Sequence, residues 1–417
     1  MKHTIGELRQ MQSLPLEYKV MMTKQRIKGW YEAYDGQVYV SFSGGKDSTV
    51  LVDIIDDMGL DIPLVFIDTG LEYPEIREFV KTYGDRVTWL KPKMNFKQVI
   101  EKYGYPFISK EVSECVYGAR KYLTSILQDE TTLTDRQTDR QTDRQTDRQY
   151  RYFYDKVCGC GKYAKSESGG QTTSIVNSEE LANLLNDKMV NKKGGSNLRL
   201  AIMLGWYTNN PNHPIKANIP SEDKSNYSQE RYKFFLDAPF EISNRCCNVM
   251  KKEPAHRYTK ETGRKPITAQ MASESRLRTQ KWLQNGCNGF DMKLPISNPM
   301  SFWLEQDVLQ YIKEHQLPIC SVYGEIVEDR DEQLTLADLF DGFESDTPLK
   351  TTGCNRTGCM FCGFGCHLEK KDGRFETMKT THPKQYEWIM KPWSEGGLGY
   401  KEIIDWINEH GNLEIRY

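Results

Sequence analysis

Ser41-Phe42-Ser43-Gly44-Gly45-Lys46-Asp47-Ser48 stands between a short apolar run and an amphipathic one, and this placement constrains the chain more than any other feature. Val38–Phe42 has the length and composition of a buried strand, and Thr49–Met58 the periodicity of a helix. Between them, two glycines permit positive φ and close approach of a ligand to the backbone. Their N–H groups and the helix N-terminus make a cradle for phosphate, to which Lys46 adds a point charge and Asp47 a hold on magnesium. The spacing is neither Gly-x4-Gly-Lys-Ser/Thr nor Gly-x-Gly-x-x-Gly. The plain alternative is a tight turn capped by Ser and Asp.

The flanking pattern repeats this strand-then-helix unit. Leu64–Ile67 reads as a second strand ending at Asp68-Thr69-Gly70, Pro74–Tyr83 as a helix, Val87–Leu90 as a third strand and Asn95–Tyr103 as a further helix. Leu16–Tyr34 reads as an amphipathic helix that packs on the strands and helices after it. The expected fold is therefore α/β, a doubly wound parallel sheet. Trp303–His315 reads as a later helix, with Ser301 as its cap and Glu305 in its first turn, and the last hundred residues as the cysteine region with two helices.

At 417 residues the chain exceeds a single core of about 250–300, so an insertion or a second domain is expected. The insertion is visible. Residues 134–149 are Thr-Asp-Arg-Gln repeated four times, a stretch that cannot bury apolar surface, and Ser166–Lys224 is rich in Ser, Asn, Gly and Lys apart from Leu198–Trp206. The expected division is 1–122, first half of the nucleotide domain with its N-terminal helix; 123–232, insertion; 233–320, remainder of that domain; 321–417, cysteine-rich region. Codons ACA GAC AGA CAG would encode the repeat as a continuous ACAG tetranucleotide. Slippage of such a tract shifts the reading frame, which makes phase variation, and with it phage defence, an expectation; a low-complexity linker without consequence is the alternative. Mixed codons for one residue type would exclude the microsatellite.

Net charge is -2, so nucleic acid or membrane is not recruited by a bulk field and any such contact needs a local basic patch. Met1–Val20 has no apolar core of a signal peptide, and no run approaches the roughly 18 apolar residues of a membrane span. Eleven cysteines without a secretory signal point to metal or thiol chemistry in a reducing compartment, and so to the cytoplasm. They cluster as Cys246-Cys247 and as Cys354-x4-Cys359-x2-Cys362-x3-Cys366, spacing suited to zinc or an iron–sulfur cluster. Cys158-Gly-Cys160 is too closely spaced for a thioredoxin-like motif, so a redox pair or accessory metal site is only the alternative to two plain cysteines of the insertion; Cys115, Cys287 and Cys320 are expected in the core, and His367 is a ligand or a surface residue. Lys251 and Lys252 line an anionic-ligand pocket or a solvated helix face.

The Ser41–Ser48 loop resembles that of the adenine-nucleotide alpha-hydrolase (HUP-like) superfamily, whose SGGxDS motif binds the pyrophosphate of ATP. Phe66-Ile67-Asp68-Thr69-Gly70 with Glu72 and Pro74, and Ala272-Ser273-Glu274-Ser275-Arg276-Leu277-Arg278, narrow the resemblance to the phosphoadenosine-phosphosulfate-reductase-like group over about Val38–Lys110 and Leu236–Pro318. The resemblance implies cofactor binding by Ser41, Ser43, Gly44, Gly45, Lys46, Asp47, Ser48, Asp68, Thr69 and Gly70. It implies catalysis by Lys46, Asp47, Ser48 and Arg276, and substrate contacts from Lys110, Lys251, Glu274, Ser275, Arg276 and Arg278; surface arginines on a helix are the alternative for Arg276 and Arg278. A vicinal Cys-Cys followed by Cys-x-x-Cys is similar to the four-iron site of adenylyl-sulfate reductases, which selects Cys246, Cys247, Cys359 and Cys362. A zinc knuckle of Cys354, Cys359, Cys362 and Cys366 is the rival.

The implied cofactors are ATP, Mg²⁺ and a 4Fe-4S cluster. Sulfonucleotide reductases of this group use a cysteine nucleophile near the C-terminus, and no cysteine follows Cys366 here. The resemblance therefore favours the sulfurtransferase-like branch, in which an ATP pyrophosphatase adenylates an acceptor, with a nucleic acid as possible acceptor, a sulfur-donor or operon-encoded protein as partner, and no membrane. The other readings are a PAPS/APS-reductase-like enzyme, a nucleotide-binding regulator, and a nucleic-acid-binding module using the Lys/Arg-rich insertion.

Overall fold

In the computed structural model the described residues are 2–134, 196–203, 228–329 and 347–417, with side chains beyond Tyr122 in the first of these excluded. The repeat from residue 135 onward, Cys158, Cys160 and most of the insertion lie outside them. The chain divides into two compact units, residues 1–96 with 247–360 and residues 97–246 with 361–417.

The first unit is built on a six-stranded sheet. Helices α1 (Ile5–Gln12) and α2 (Leu16–Ala33) lead to β1 (Val38–Ser41), α3 (Lys46–Asp57), β2 (Leu64–Ile67), α4 (Pro74–Lys81) and β3 (Val87–Leu90). The order is β3-β2-β1-β5-β7-β6, with β5 (Lys265–Ile267) and β7 (Ile296–Ser297). All pairings are parallel except that of β6 (Asn288–Gly289) with β7. The chain runs outward from β1 to β3 and then returns to β5 on the other side of β1, with Val40 opposite both Leu64 and Ile267. That reversal beside β1 is a topological switch point, where ligands of open α/β sheets bind beyond the strand C-termini.

Strand alternation assigns the two faces. Val38, Val40, Leu64 and Phe66 belong to one buried cluster with Ile27 and Trp30 of α2 and Val50, Leu51, Ile54 and Ile55 of α3. Tyr39 points the other way, its ring 5.0 Å from that of Tyr258 and its hydroxyl 3.2 Å from Thr259 Oγ1. With helices against both faces, the expected doubly wound α/β architecture is observed.

Two local expectations are corrected. The helix expected from Trp303 begins at Glu305, and Ser301 does not cap it: the Ser301 hydroxyl turns to Cys287 Sγ at 3.2 Å, while Asp307 accepts from the Leu304 N–H at 2.6 Å. The same Asp307 receives the buried Lys19 ammonium at 2.7 Å, which ties this helix to α2. Among its described residues the cysteine region holds three α-helices rather than two: Arg374–Thr381, Pro383–Met390 and Tyr400–Gly411.

The second unit contains α5 (Phe96–Tyr103) from its second residue onward, β4 (Phe107–Ile108), the helix α6 (Lys110–Thr134), which runs past the boundary expected at 122, and the segment Ser196–Met203. β4 pairs in parallel with Gly363–Phe364, and a Cβ on Gly363 would meet Phe107 Cδ1 at 2.6 Å, so only glycine fits there. The Tyr400–Gly411 helix buries Ile403, Ile404 and Ile407 in this unit.

Candidate functional site

The loop after β1 turns because Gly44 adopts φ +69°, where an L side chain is strained, and because a Cβ there would lie 2.7 Å from Val80 Cγ2. Gly45, extended, then caps α3, which starts at Lys46, three residues earlier than periodicity indicates. Ser48 and Ser43 close the turn, their hydroxyls 3.0 Å apart and Ser48 Oγ donating to the Gly45 carbonyl at 2.8 Å.

Lys46 is almost fully buried. Its ammonium donates to the Asn355 carbonyl at 3.0 Å and sits 3.1 Å from Glu305 Oε1 and 3.5 Å from Asp47 Oδ1. Asp47 Oδ1 is buried and accepts no hydrogen bond among the described residues. Burial pushes the Asp47 carboxyl above its ordinary range, Lys46 and Arg356 pull it back, and Glu305 adds to the rise. A divalent cation or a second donor at Asp47 would relieve that cost.

Beyond the C-termini of β1, β2 and β5 opens a cavity of about 650 Å³, walled by Ser41, Ser43, Ile67, Thr268, Gln270 and Met271 among others. Among the described residues its charged lining is one-sided: Lys251, Lys252, Lys265, Arg278, Lys281 and Lys293 against the single carboxylate of Glu72. For a chain of net charge -2, this concentration of cations is a local property of the site.

Several expected residues have different roles from those their motif suggests. Arg278 lines the cavity, whereas Arg276 is exposed and is not part of its wall. Arg278 pairs with Glu274, which also lies 3.5 Å from Arg356; burial lowers the Arg278 pKa, Arg356 adds to the fall and Asp47 opposes it. Ser275 is the N-cap of the Arg276–Asn285 helix, accepting from the Arg278 N–H at 3.3 Å. Asp68, buried, accepts from Gly70 N–H at 3.3 Å and pairs with Arg77 at 2.9 Å, while Thr69 donates to Glu72 at 2.7 Å. These bonds make Asp68-Thr69-Gly70 a rigid end to β2 beside the cavity. Lys110 lies in the second unit, exposed at the start of α6.

The sequence reading missed Glu305, Tyr323, Asn355, Arg356 and Thr357. Tyr323 Oη accepts the Lys46 backbone N–H at 3.1 Å and lies 2.6 Å from Thr357 Oγ1. Only the position of Asn355, Arg356 and Thr357 inside Cys354-x4-Cys359 offered a signal.

Cys115, Cys287 and Cys320 are buried, as expected of core cysteines. In the first unit, Lys251 is exposed at the cavity wall next to Cys359, Glu72 and Cys247; the partial desolvation there would lower its pKa, but these groups, Cys359 first, hold it above its ordinary value. A cation beside a cysteine sulfur is the setting that favours thiolate, the metal-binding form. In the second unit, Tyr400 is wholly buried, donates to the Phe361 carbonyl at 2.7 Å, and has its pKa raised by burial and then by the Cys362, Cys246 and Cys366 sulfurs. Cys366 is different in kind. Burial pushes its thiol up to about 12, and the thiol donates to the Gly363 carbonyl at 2.9 Å. His367, half-buried, is held below its ordinary pKa by burial and by Arg231. Among the described residues, no three His, Cys, Asp or Glu side chains gather into a ready metal-binding group. No helix among them is long and apolar enough to cross a membrane.

The chain is 41% identical over 85 residues to an uncharacterized protein of Methanocaldococcus jannaschii, covering 19% of this chain and 18% of that one. It is 28% identical over 96 residues to an adenosine 5'-phosphosulfate reductase of Staphylococcus epidermidis, covering 22% and 40%. The chain thus spans about a fifth to two fifths of the length of these relatives. A phosphoadenylyl-sulfate (PAPS) reductase from Candida auris, solved as a phosphate complex, aligns over 77% of this chain and 91% of its own with 12% identity and a TM-score of 0.31. The family model of the phosphoadenosine phosphosulfate reductase domain matches residues 37–145 and 200–363, a span that takes in the Ser41–Ser48 loop, the cavity and Cys359, and the chain belongs to that family.

Proposed function

We infer that this chain is an ATP pyrophosphatase that adenylates an acceptor for iron–sulfur-dependent sulfur transfer. The observation that carries this reading is the cavity, with six cationic side chains against one carboxylate, opening beside the SGGKDS turn at the switch point of the sheet. Such a lining suits a polyphosphate. The Gly44, Gly45 and Lys46 N–H groups would hold its phosphates, Asp47 would hold Mg²⁺, and Ser41, Phe66 and Asp68-Thr69-Gly70 would face the adenosine. An acceptor oxygen attacks the α-phosphorus, the α–β bridging P–O bond breaks, and pyrophosphate leaves with its charge countered by Lys46. A sulfur nucleophile then displaces AMP from the adenylated acceptor. Arg278 and Arg356 hold the anionic acceptor, for which a nucleic acid is the proposed class, Lys281 and Lys293 extending the cationic surface.

Cys246, Cys247, Cys359 and Cys362 are the proposed cluster ligands; the ammonium beside Cys359 and Cys247 suits that donor chemistry, and the neutral, carbonyl-bound Cys366 thiol does not. A cluster held by them would supply electrons for the sulfur-transfer step. A sulfur-donor protein completes the cycle. The same family, and relatives named adenosine 5'-phosphosulfate reductases, support a second reading as a sulfonucleotide reductase. Phase variation of the TDRQ tract, and with it a defence role, is a proposal that gene sequencing tests.

The test is pyrophosphate release from ATP by anaerobically purified protein, alongside sulfite release from adenylyl sulfate with a thiol reductant. Asp47→Ala is expected to lower pyrophosphate release by on the order of 100-fold, as loss of a key electrostatic group does. Sulfite without pyrophosphate selects the reductase. Neither product, with nucleotide bound, selects a regulator.

A further inference from the structure

Two donors that a nucleotide needs are already taken. The Lys46 backbone N–H, in the first turn of α3, points at Tyr323 Oη, and the Lys46 ammonium points at the Asn355 carbonyl. The first turn of a helix is where an anion binds, and a tyrosine hydroxyl is a neutral oxygen in that position. It is also crowded against the loop: a Cβ on Gly45 would lie 3.1 Å from Tyr323 Oη and 3.2 Å from Thr357 Oγ1. The Tyr323 ring, buried, lies 5.5 Å from the Lys46 ammonium.

Both acceptors belong to one strapped pair of segments. Cys354 N–H donates to the Val322 carbonyl and Gly353 N–H to the Tyr323 carbonyl, each at 2.9 Å, and Thr351 Oγ1 donates to the Cys354 carbonyl at 3.1 Å. A Cβ on Gly353 would sit 2.4 Å from the Val322 carbonyl oxygen, so the segments cannot shift independently there. Thr357 and Gly358, three and four residues beyond Cys354, form part of the cavity wall.

We propose that Tyr323 is a latch: its hydroxyl, with Thr357, stands in for a phosphate oxygen on the loop, so that nucleotide binding displaces it and moves the Cys354–Cys359 segment. This rests on the nucleotide-binding reading of the same loop and adds that occupancy of the loop is communicated to the cysteine segment through one side chain. Tyr323 is a positioning residue in this scheme.

The decisive measurement is calorimetric affinity for Mg-ATP and for inorganic pyrophosphate in the full chain, compared among wild type, Tyr323→Phe and Thr357→Val. Loss of a competing neutral hydrogen bond should tighten binding roughly threefold to tenfold in Tyr323→Phe and by less in Thr357→Val. In wild type, pyrophosphate should change the alkylation rate of Cys354, read by mass spectrometry, and in Tyr323→Phe the rate should already be at the bound value without ligand. Weaker or unchanged binding in both folded variants, with wild type still binding, overturns the latch alone. Absence of binding by all three proteins overturns the nucleotide reading and the latch together.

Discussion

Cys359 and Cys366 lie seven residues apart in one cysteine-rich run, yet their surroundings are opposite. In the first unit the Cys359 sulfur meets an ammonium at the edge of a cationic cavity. In the second, the Cys366 thiol is buried and spends its proton on a backbone carbonyl. Spacing proposes ligands; charge and burial decide which sulfurs are suited to the thiolate form. The comparison favours the set with the vicinal pair over a knuckle that includes Cys366.

The largest effect that would break this comparison is on metal content. Cys359→Ser should remove most iron and acid-labile sulfide from anaerobically purified protein, together with the absorbance near 400 nm typical of thiolate-bound clusters. Cys366→Ser should retain all three. Equal losses in both variants, or stoichiometric zinc that both variants lose, would restore the knuckle.

A smaller effect concerns pH. The Cys366 thiol has its folded pKa raised to about 12 by burial, above an unfolded value of about 8.5. The folded state therefore holds this proton more tightly, so its contribution to stability is fully present below the unfolded pKa and is lost as pH rises from about 8.5 toward 12. Denaturant titrations of wild type between pH 7 and 10 should show stability falling in the alkaline range, and Cys366→Ala should show a shallower fall. A Cys366 that alkylates readily at pH 8 in the folded protein would mean that its sulfur is already a thiolate.

Legibility in the sequence divides in the same way, between local and distant. The strand, turn and helix around Gly44 were readable because glycine, apolar run and periodicity are all within about twenty residues. The Lys46 partners were not, since Tyr323 and Asn355 are 277 and 309 positions away; Tyr323 belongs to no recognisable motif, and Asn355 lies in a cysteine motif whose spacing speaks of ligands and not of a lysine partner. Ser301 misled because a serine before an apolar periodic stretch has the composition of a cap, while Asp307, three residues inside the helix, bonds back to Leu304. The cavity's charge was readable in part: Lys251, Lys252 and Arg278 were expected beside an anionic ligand and line the opening, whereas Lys265, Lys281 and Lys293 are separated by ordinary sequence and only the fold gathers them there.

The smallest expected effect separates two residues of the Glu274–Arg278 motif. Ser275 caps a helix through the Arg278 N–H, whereas the Arg278 side chain lines the cavity. Ser275→Ala should cost about 1 kcal/mol of stability, the usual loss of a serine cap, and leave nucleotide affinity within about twofold, because the capped helix is held by Trp282 in the core. Arg278→Ala should do the reverse, with little change in the unfolding midpoint and a clear loss of affinity for an anionic ligand. Matched denaturant and calorimetric titrations of the two variants test this. An affinity loss in Ser275→Ala as large as that in Arg278→Ala would place the serine hydroxyl on the ligand and assign the motif to recognition as a whole.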